Sequence, residues 1–246
     1  MELRNKTIVI TGGTSGIGFE LVRQLVERGN DLVVLGRSQQ KLNDLKEKFA
    51  TIHTYQCDLS QRLQVERATD EVIKQHPGIS VLINNAAVQL PPTFISDEFD
   101  FDGIEFQITT NLTAPIWITS LLLADLLVRQ NQAIIVNISS GLAFYPKSSS
   151  AVYCATKAAL HSFSQSLRYQ LAETSVRVAE VILPLVDTPM TEGRGSGGKM
   201  TATATAQDII KGIEAGRDEI YVGLARLLPL LMRLAPGLVK NMMKRG

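Results

Sequence analysis

Short, unbroken apolar runs recur along the chain, separated by stretches in which apolar residues return every three or four positions. Thr7 to Thr11, Asp31 to Leu35, Ile52 to Gln56, Val81 to Asn84, Ala133 to Ile138, Val176 to Leu183 and Ile220 to Val222 read as strands. Several are continuous Val/Ile/Leu runs rather than alternating ones, as expected of a parallel sheet with helices on both faces. Amphipathic stretches such as Gln40 to Phe49 and Leu63 to Lys74 fall between the runs and predict the covering helices. The pattern therefore predicts one α/β domain, a doubly wound parallel sheet of seven strands flanked by helices. No repeat or charge block interrupts it. Composition shifts only at Glu192 to Ala206, rich in Gly, Ser, Thr and Ala, which predicts a mobile loop.

Composition narrows the function classes. With 246 residues, 45% hydrophobic and 20% charged, the chain is long enough to bury a large core, and a formal net charge of +1 leaves no footprint for nucleic acid. Cys57 and Cys154 are isolated thiols without metal-ligand spacing. His53, His76 and His161 form no evident cluster with them, so neither a metal nor a disulfide is expected. Met1 to Lys6 lead into the first strand without an apolar signal, and no run of 18 apolar residues follows; the cytoplasm is the expected location.

Two local patterns carry chemistry. Residues 7 to 18 run from a β-branched strand through glycines into a helical pattern, and Gly12, Gly16 and Gly18 permit a sharp turn with close backbone approach to a ligand. Their spacing, Gly-x3-Gly-x-Gly, differs from the commonest dinucleotide fingerprint, and glycine turns also occur without ligands. Tyr153 and Lys157 stand four apart, placing a cation beside a phenol on one helix face. A tyrosine working at neutral pH needs its pKa lowered by roughly 2 to 3 units from about 10, and one ammonium at ~4 Å and an effective dielectric of ~20 is worth about 4 kcal/mol. Alone, the pair equally suits an ordinary surface helix.

Together the motifs resemble the short-chain dehydrogenase/reductases of ordinary length, over nearly the whole chain. Thr11 to Gly18 is similar to that family's cofactor turn, Asn84-Asn-Ala-Ala87 to its central Asn-Asn-Ala-Gly motif, and Ile135 to Ser140 with Tyr153 and Lys157 to its active site. The resemblance implies a Rossmann-type dinucleotide-binding and catalytic domain over residues 1–223. It implies reversible hydride transfer between a nicotinamide and a carbonyl or alcohol carbon. Tyr153 would be the acid/base, Ser140, 13 residues before it, the hydroxyl partner of the substrate oxygen, with Ser139 a neighbour. Lys157 would poise the tyrosine and hold the nicotinamide ribose, and Asn111 would hold a relay water. An asparagine in the helical pattern of Ile108 to Leu127 can also relieve a kink near Pro115.

Cofactor contacts are implied at Gly12, Thr14, Ser15, Gly16, Ile17, Gly18, Arg37, Ser38, Asp58, Leu59, Asn85, Ala86, Tyr153, Lys157, Val186 and Thr188. At the end of the second strand the acid expected for a free ribose 2′-hydroxyl is missing: Gly36 repels nothing, and Arg37 and Ser38 offer donors to a phosphate. NADP(H) is thus expected over NAD(H), although Ser15 replaces the basic residue that NADP-using members often carry. Asp58 resembles an adenine contact and equally suits a helix N-cap. Leu185 stands where the family usually has glycine, a variant that resembles the reductases found beside bacterial D-alanyl-lipoteichoic acid genes.

Residues 224–246 form an apolar tail with a basic end, broken by Pro229 and Pro236 into pieces able to serve as a lid, a subunit contact or a peripheral membrane face. The stretches Leu112 to Arg129 and Tyr153 to Glu173 correspond to the family's subunit contacts, which implies a homodimer or homotetramer. The expected partner is a small carbonyl or alcohol, selected by the loops 88–98, 141–151 and 185–206. Two other classes stay open: a dinucleotide-binding sensor or scaffold without turnover, and a peripheral membrane protein acting on lipid-like substrates.

Overall fold

The computed structural model describes residues 1–90, 94, 100–128, 133–195 and 198–244. Seven strands form one parallel sheet: β1 (Thr7–Thr11), β2 (Asp31–Gly36), β3 (His53–Gln56), β4 (Ile79–Asn84), β5 (Ala133–Ser140), β6 (Val176–Leu183) and, last in the sheet, β9 (Glu219–Tyr221). Two further two-residue strands, β7 (Val186–Asp187) and β8 (Met200–Thr201), pair with each other beside it. The helices are α1 (Gly16–Val26), α2 (Gln39–Lys48), α3 (Arg62–Gln75), α4 (Phe101–Ile108), α5 (Ala114–Leu127), α6 (Ala151–Gln170), α7 (Ala202–Glu214), α8 (Leu228–Leu234) and α9 (Pro236–Lys244).

The sheet order is β3-β2-β1-β4-β5-β6-β9. The chain winds outward from β1 to one edge and then restarts from β4 toward the other, so the carboxyl ends of β1 and β4 flank a topological switch point. The unbroken apolar runs follow from burial on both faces. In β1, Ile8 and Ile10 pack with α1, α2 and α7, whereas Val9 packs with α3, α5 and α6. The other central strands divide in the same way: Val81 and Ile83 face one layer, Ile79 and Leu82 the other.

Four features depart from the sequence reading. Residues 192–206 are not loop throughout, because β8 and the start of α7 lie within them and Thr201 caps that helix by accepting from Ala204 N at 3.2 Å; residues 196–197 fall outside the described residues. The strand after α7 lies one residue earlier than Ile220 to Val222. The helix after Asp100 is continuous from Phe101 to Leu127 and passes through a π-helical turn at Thr109–Thr113. That 27-residue helix is long and apolar enough to cross a membrane by length and composition alone, and Ala114, Ile118, Leu122 and Leu126 explain much of its apolarity by packing in the core with α3. Finally, Asp31, His53 and His76 converge, with ligand atoms within 4.8 Å of one another. The sequence hides this trio because its members come from β2, β3 and the end of α3.

Candidate active site

A cleft of about 270 Å³ opens at the switch point. Its floor is the turn between β1 and α1. Gly12 and Gly16 have φ of +69° and +52°, values that favour glycine, and a Cβ at Gly18 would lie 2.1 Å from the Gly12 carbonyl oxygen. The turn is clamped from β4: Asn85 Nδ2 donates to the carbonyls of Thr11 and Gly12, both at 3.0 Å, while Asn85 N and Ala86 N donate to Thr11 Oγ1. Asn85 thus lines the cleft, but its amide holds the turn. No side chain caps the first turn of α1, whose first main-chain bond runs from Phe19 N to Ser15 O, so the preceding amides suit an anion.

Along one wall, Arg37 leaves β2 with its guanidinium over the Phe106 ring, 5.4 Å from the centroid. Asp58 and Leu59 lie beside it. The Asp58 carboxylate does not cap α3, whose N-cap is Gln61; its Oδ1 instead accepts from Ser60 N and Oγ in a tight turn. Ser38 caps α2 weakly, accepting from Lys41 N at 3.4 Å, and Val186 is buried in β7. These two lie outside the cleft lining, whereas Gly12, Thr14, Ser15, Gly16, Ile17, Gly18, Ala86 and Thr188 belong to it.

At the far end, α6 presents Tyr153 and Lys157. Both are buried, and Lys157 Nζ lies 5.6 Å from the Tyr153 ring centroid and donates to Ile138 O at 2.8 Å. The sequence argument gave the lysine's charge control of the phenol; here burial is the largest influence on each. It raises the Tyr153 phenol above its ordinary value, against a lowering by Arg194. It lowers the Lys157 ammonium to about 8, against a raising by Glu180. Each group is pushed toward its neutral form, which for Tyr153 is the proton-donating one. Glu180 on β6 is fully buried and bonded to His161 Nδ1 at 2.6 Å, an arrangement the sequence reading missed because no spacing links α6 to β6.

Ser140 Oγ accepts from Leu142 N at 3.1 Å, capping the 3-10 turn Gly141–Ala143, and its O–H remains to donate. Ser139 lines the cleft, and its buried Oγ has no partner among the described residues. Asn111 lies in the π-helical turn, fully buried. Its side chain grips the main chain of Val88, accepting from N at 2.7 Å and donating to O at 2.8 Å, so it positions the loop after β4.

Thr188 and Met190 line the cleft, whereas Leu185 and Arg194, from the same segment, lie outside its lining. Leu185 keeps a negative φ, so replacing glycine there strains nothing, and its half-exposed side chain packs against Gly195. The tail approaches the turn after β5: a Cβ on Gly141 would lie 2.9 Å from Leu228 Cδ1 of α8. Of the loops expected to select substrate, residues 91–93, 95–99 and 196–197 fall outside the described residues.

The residues fit a dinucleotide: a glycine cradle that side chains would fill, free amides at a long helix, and donors on both walls. The sequence matches the short chain dehydrogenase family over residues 6–198. It is 40% identical over 227 residues to the uncharacterized oxidoreductase DltE of Bacillus subtilis, covering 89% of each chain. It is 33% identical over 177 residues to the NADP-dependent 3-hydroxy acid dehydrogenase YdfG of Salmonella typhi, covering 71% of this chain and 70% of that one. The fold superposes on a Burkholderia cenocepacia short chain dehydrogenase in complex with NADP, with a TM-score of 0.86, 24% identity and 99% of each chain covered. A Burkholderia phymatum enzyme in complex with NAD gives 0.84 at 19% identity, covering 99% of this chain and 97% of that one.

Proposed function

The chain belongs to the short chain dehydrogenase family, and from that premise we propose that it is an NADP(H)-dependent oxidoreductase interconverting a small carbonyl compound and its alcohol. The observation that carries this reading is that one cleft is lined by the glycine turn, Arg37, Tyr153 and Lys157. A nicotinamide dinucleotide, when bound, supplies or accepts the hydride. The glycine turn and the first amides of α1 would hold its diphosphate. Gly36 and the Arg37 fork would receive a 2′-phosphate, and the NADP-dependent relative YdfG supports that preference.

In reduction, buried Tyr153 keeps its proton and gives it to the carbonyl oxygen. Ser140 donates its O–H to the same oxygen, its Oγ held in place by Leu142 N. Lys157 stabilises the resulting phenolate. Its own positive charge is supported by Glu180 and its position by Ile138 O. Asn111 holds the loop at Val88 against α6, leaving any contact with a relay water to its main chain. Residues 1–223 form the catalytic unit of a cytoplasmic homodimer or homotetramer, and residues 224–246 its lid or subunit contact.

The test is fluorescence titration of NADPH and NADH into wild type and Arg37→Ala. NADPH is expected to bind at least tenfold tighter, about 1.4 kcal/mol, with the variant erasing the difference. Equal binding of the two by wild type removes the NADP assignment. Tight binding of either without reduction of any aldehyde or ketone favours the scaffold class instead.

A further inference from the structure

One cation beside the cleft lining, close enough to act on Tyr153, has no task in this reading. Arg194 lies in the loop between β7 and β8. Its Nη1 donates to Gln89 Oε1, and Gln89 Nε2 donates to Ser150 Oγ at 2.7 Å. Ser150 is the N-cap of α6 and stands three residues before Tyr153, so the chain of contacts ends one helical turn from the candidate proton donor. Gln89 follows Val88, itself part of the cleft wall.

The guanidinium is held by an amide rather than by an acid. Arg23, Arg28 and Arg226 hold carboxylates at 2.9, 2.8 and 2.6 Å, whereas Arg194 meets a neutral amide and no carboxylate within ion-pair distance among the described residues. Among the described residues, four of its five N–H donors are left for another acceptor. Its charge already reaches the phenol, lowering the proton affinity that burial raises. The support is built. Gly193 and Gly195, with φ of +72° and +74°, flank the arginine, and Leu185 Cδ2 would lie 2.7 Å from a Cβ at Gly195, so only glycine there lets the loop settle on Leu185.

We propose that Arg194, aimed by Gln89, binds an anionic group on the substrate, a carboxylate or sulfonate, so that the enzyme prefers small acid-bearing aldehydes and ketones to neutral ones. The proposal rests on the reductase reading of the same site. A planar fork suits either anion bidentately, and binding it beside Tyr153 would fix which carbonyl oxygen meets the proton.

Two readouts separate the proposal from its premise. With saturating NADPH, succinic semialdehyde and its methyl ester are compared as substrates for wild type, Arg194→Met and Arg194→Lys. With saturating NADP+, succinate binding to the same proteins is measured by calorimetry. The acid is expected to exceed the ester at least tenfold in kcat/KM, chiefly through KM. Arg194→Met should erase that ratio and weaken succinate binding at least tenfold, and Arg194→Lys should restore part of both. Equal succinate binding by wild type and Arg194→Met overturns the proposal whatever the turnover. Charge-selective succinate binding with neither carbonyl reduced sustains the anion site and brings down the reductase reading instead.

Discussion

Lys157 shows how one side chain sets both a stability cost and a working range. Its ammonium is buried with a pKa of about 8, below the ordinary 10.5. Below about pH 8 the folded and unfolded chains both hold the proton, and the folded state bears the full cost of the buried charge. Between about 8 and 10.5 the unfolded chain binds more protons, so stability rises with pH by about 3 kcal/mol from this group. Lys157→Met removes that cost but leaves Ile138 O without its donor, a loss of about 1 kcal/mol. The variant should therefore be inactive yet about 2 kcal/mol more stable at pH 7 by chemical denaturation, with the advantage shrinking at pH 10. A variant less stable than wild type at pH 7 would show that the buried charge carries no net cost. The pair Tyr153 and Lys157 was legible because a helix brings positions four apart together. Glu180, His161 and Arg194 were not, because their neighbours come from other segments and no local period encodes the contact.

Elements decide which serine is used. In β5 successive side chains point to opposite faces, so Ser139 and Ser140 cannot share a role. Spacing from Tyr153 favours Ser140, whereas the cleft lining contains Ser139. The 3-10 turn after β5 supports Ser140, because Leu142 N fixes the position of its Oγ while leaving the proton free to donate to a developing alkoxide. Ser140→Ala should lower kcat about 100-fold, and Ser139→Ala should leave it within about threefold, since that hydroxyl has no partner to lose. Steady-state kinetics with NADPH and an aldehyde decides between them, and the opposite pattern would move the catalytic hydroxyl to Ser139. At this scale the sequence was most readable. Strands buried on both faces announce themselves as apolar runs, and the seven of the main sheet lie within two residues of the predicted positions. The π-helical turn and the β7/β8 pair escaped notice, since both depend on contacts with loops rather than on periodicity.

For the whole molecule, the tail carries a cluster of exposed leucines. Leu224 and Leu234 are 74% and 71% exposed, and Leu227 and Leu230 about half, in a tail that brings Leu228 over Gly141. Burying each such leucine contributes about 1.5–3 kcal/mol, enough for four of them to hold a lid closed or two subunits together. The two uses separate on truncation after Gly223, measured by light scattering and kinetics together. Closure over substrate predicts an unchanged mass, a raised KM and intact NADPH binding, because the glycine turn and Arg37 lie at the other end of the cleft. A subunit contact predicts a fall in mass, with kinetics that recover as protein concentration rises. The contact beside Gly141, directly after Ser140, favours closure. Leu228→Ser should then reproduce the raised KM in a full-length chain of unchanged mass. If instead both chains float equally with anionic vesicles, membrane contact by the tail is excluded. If only the full-length chain floats, those leucines serve a lipid surface and the lid assignment fails.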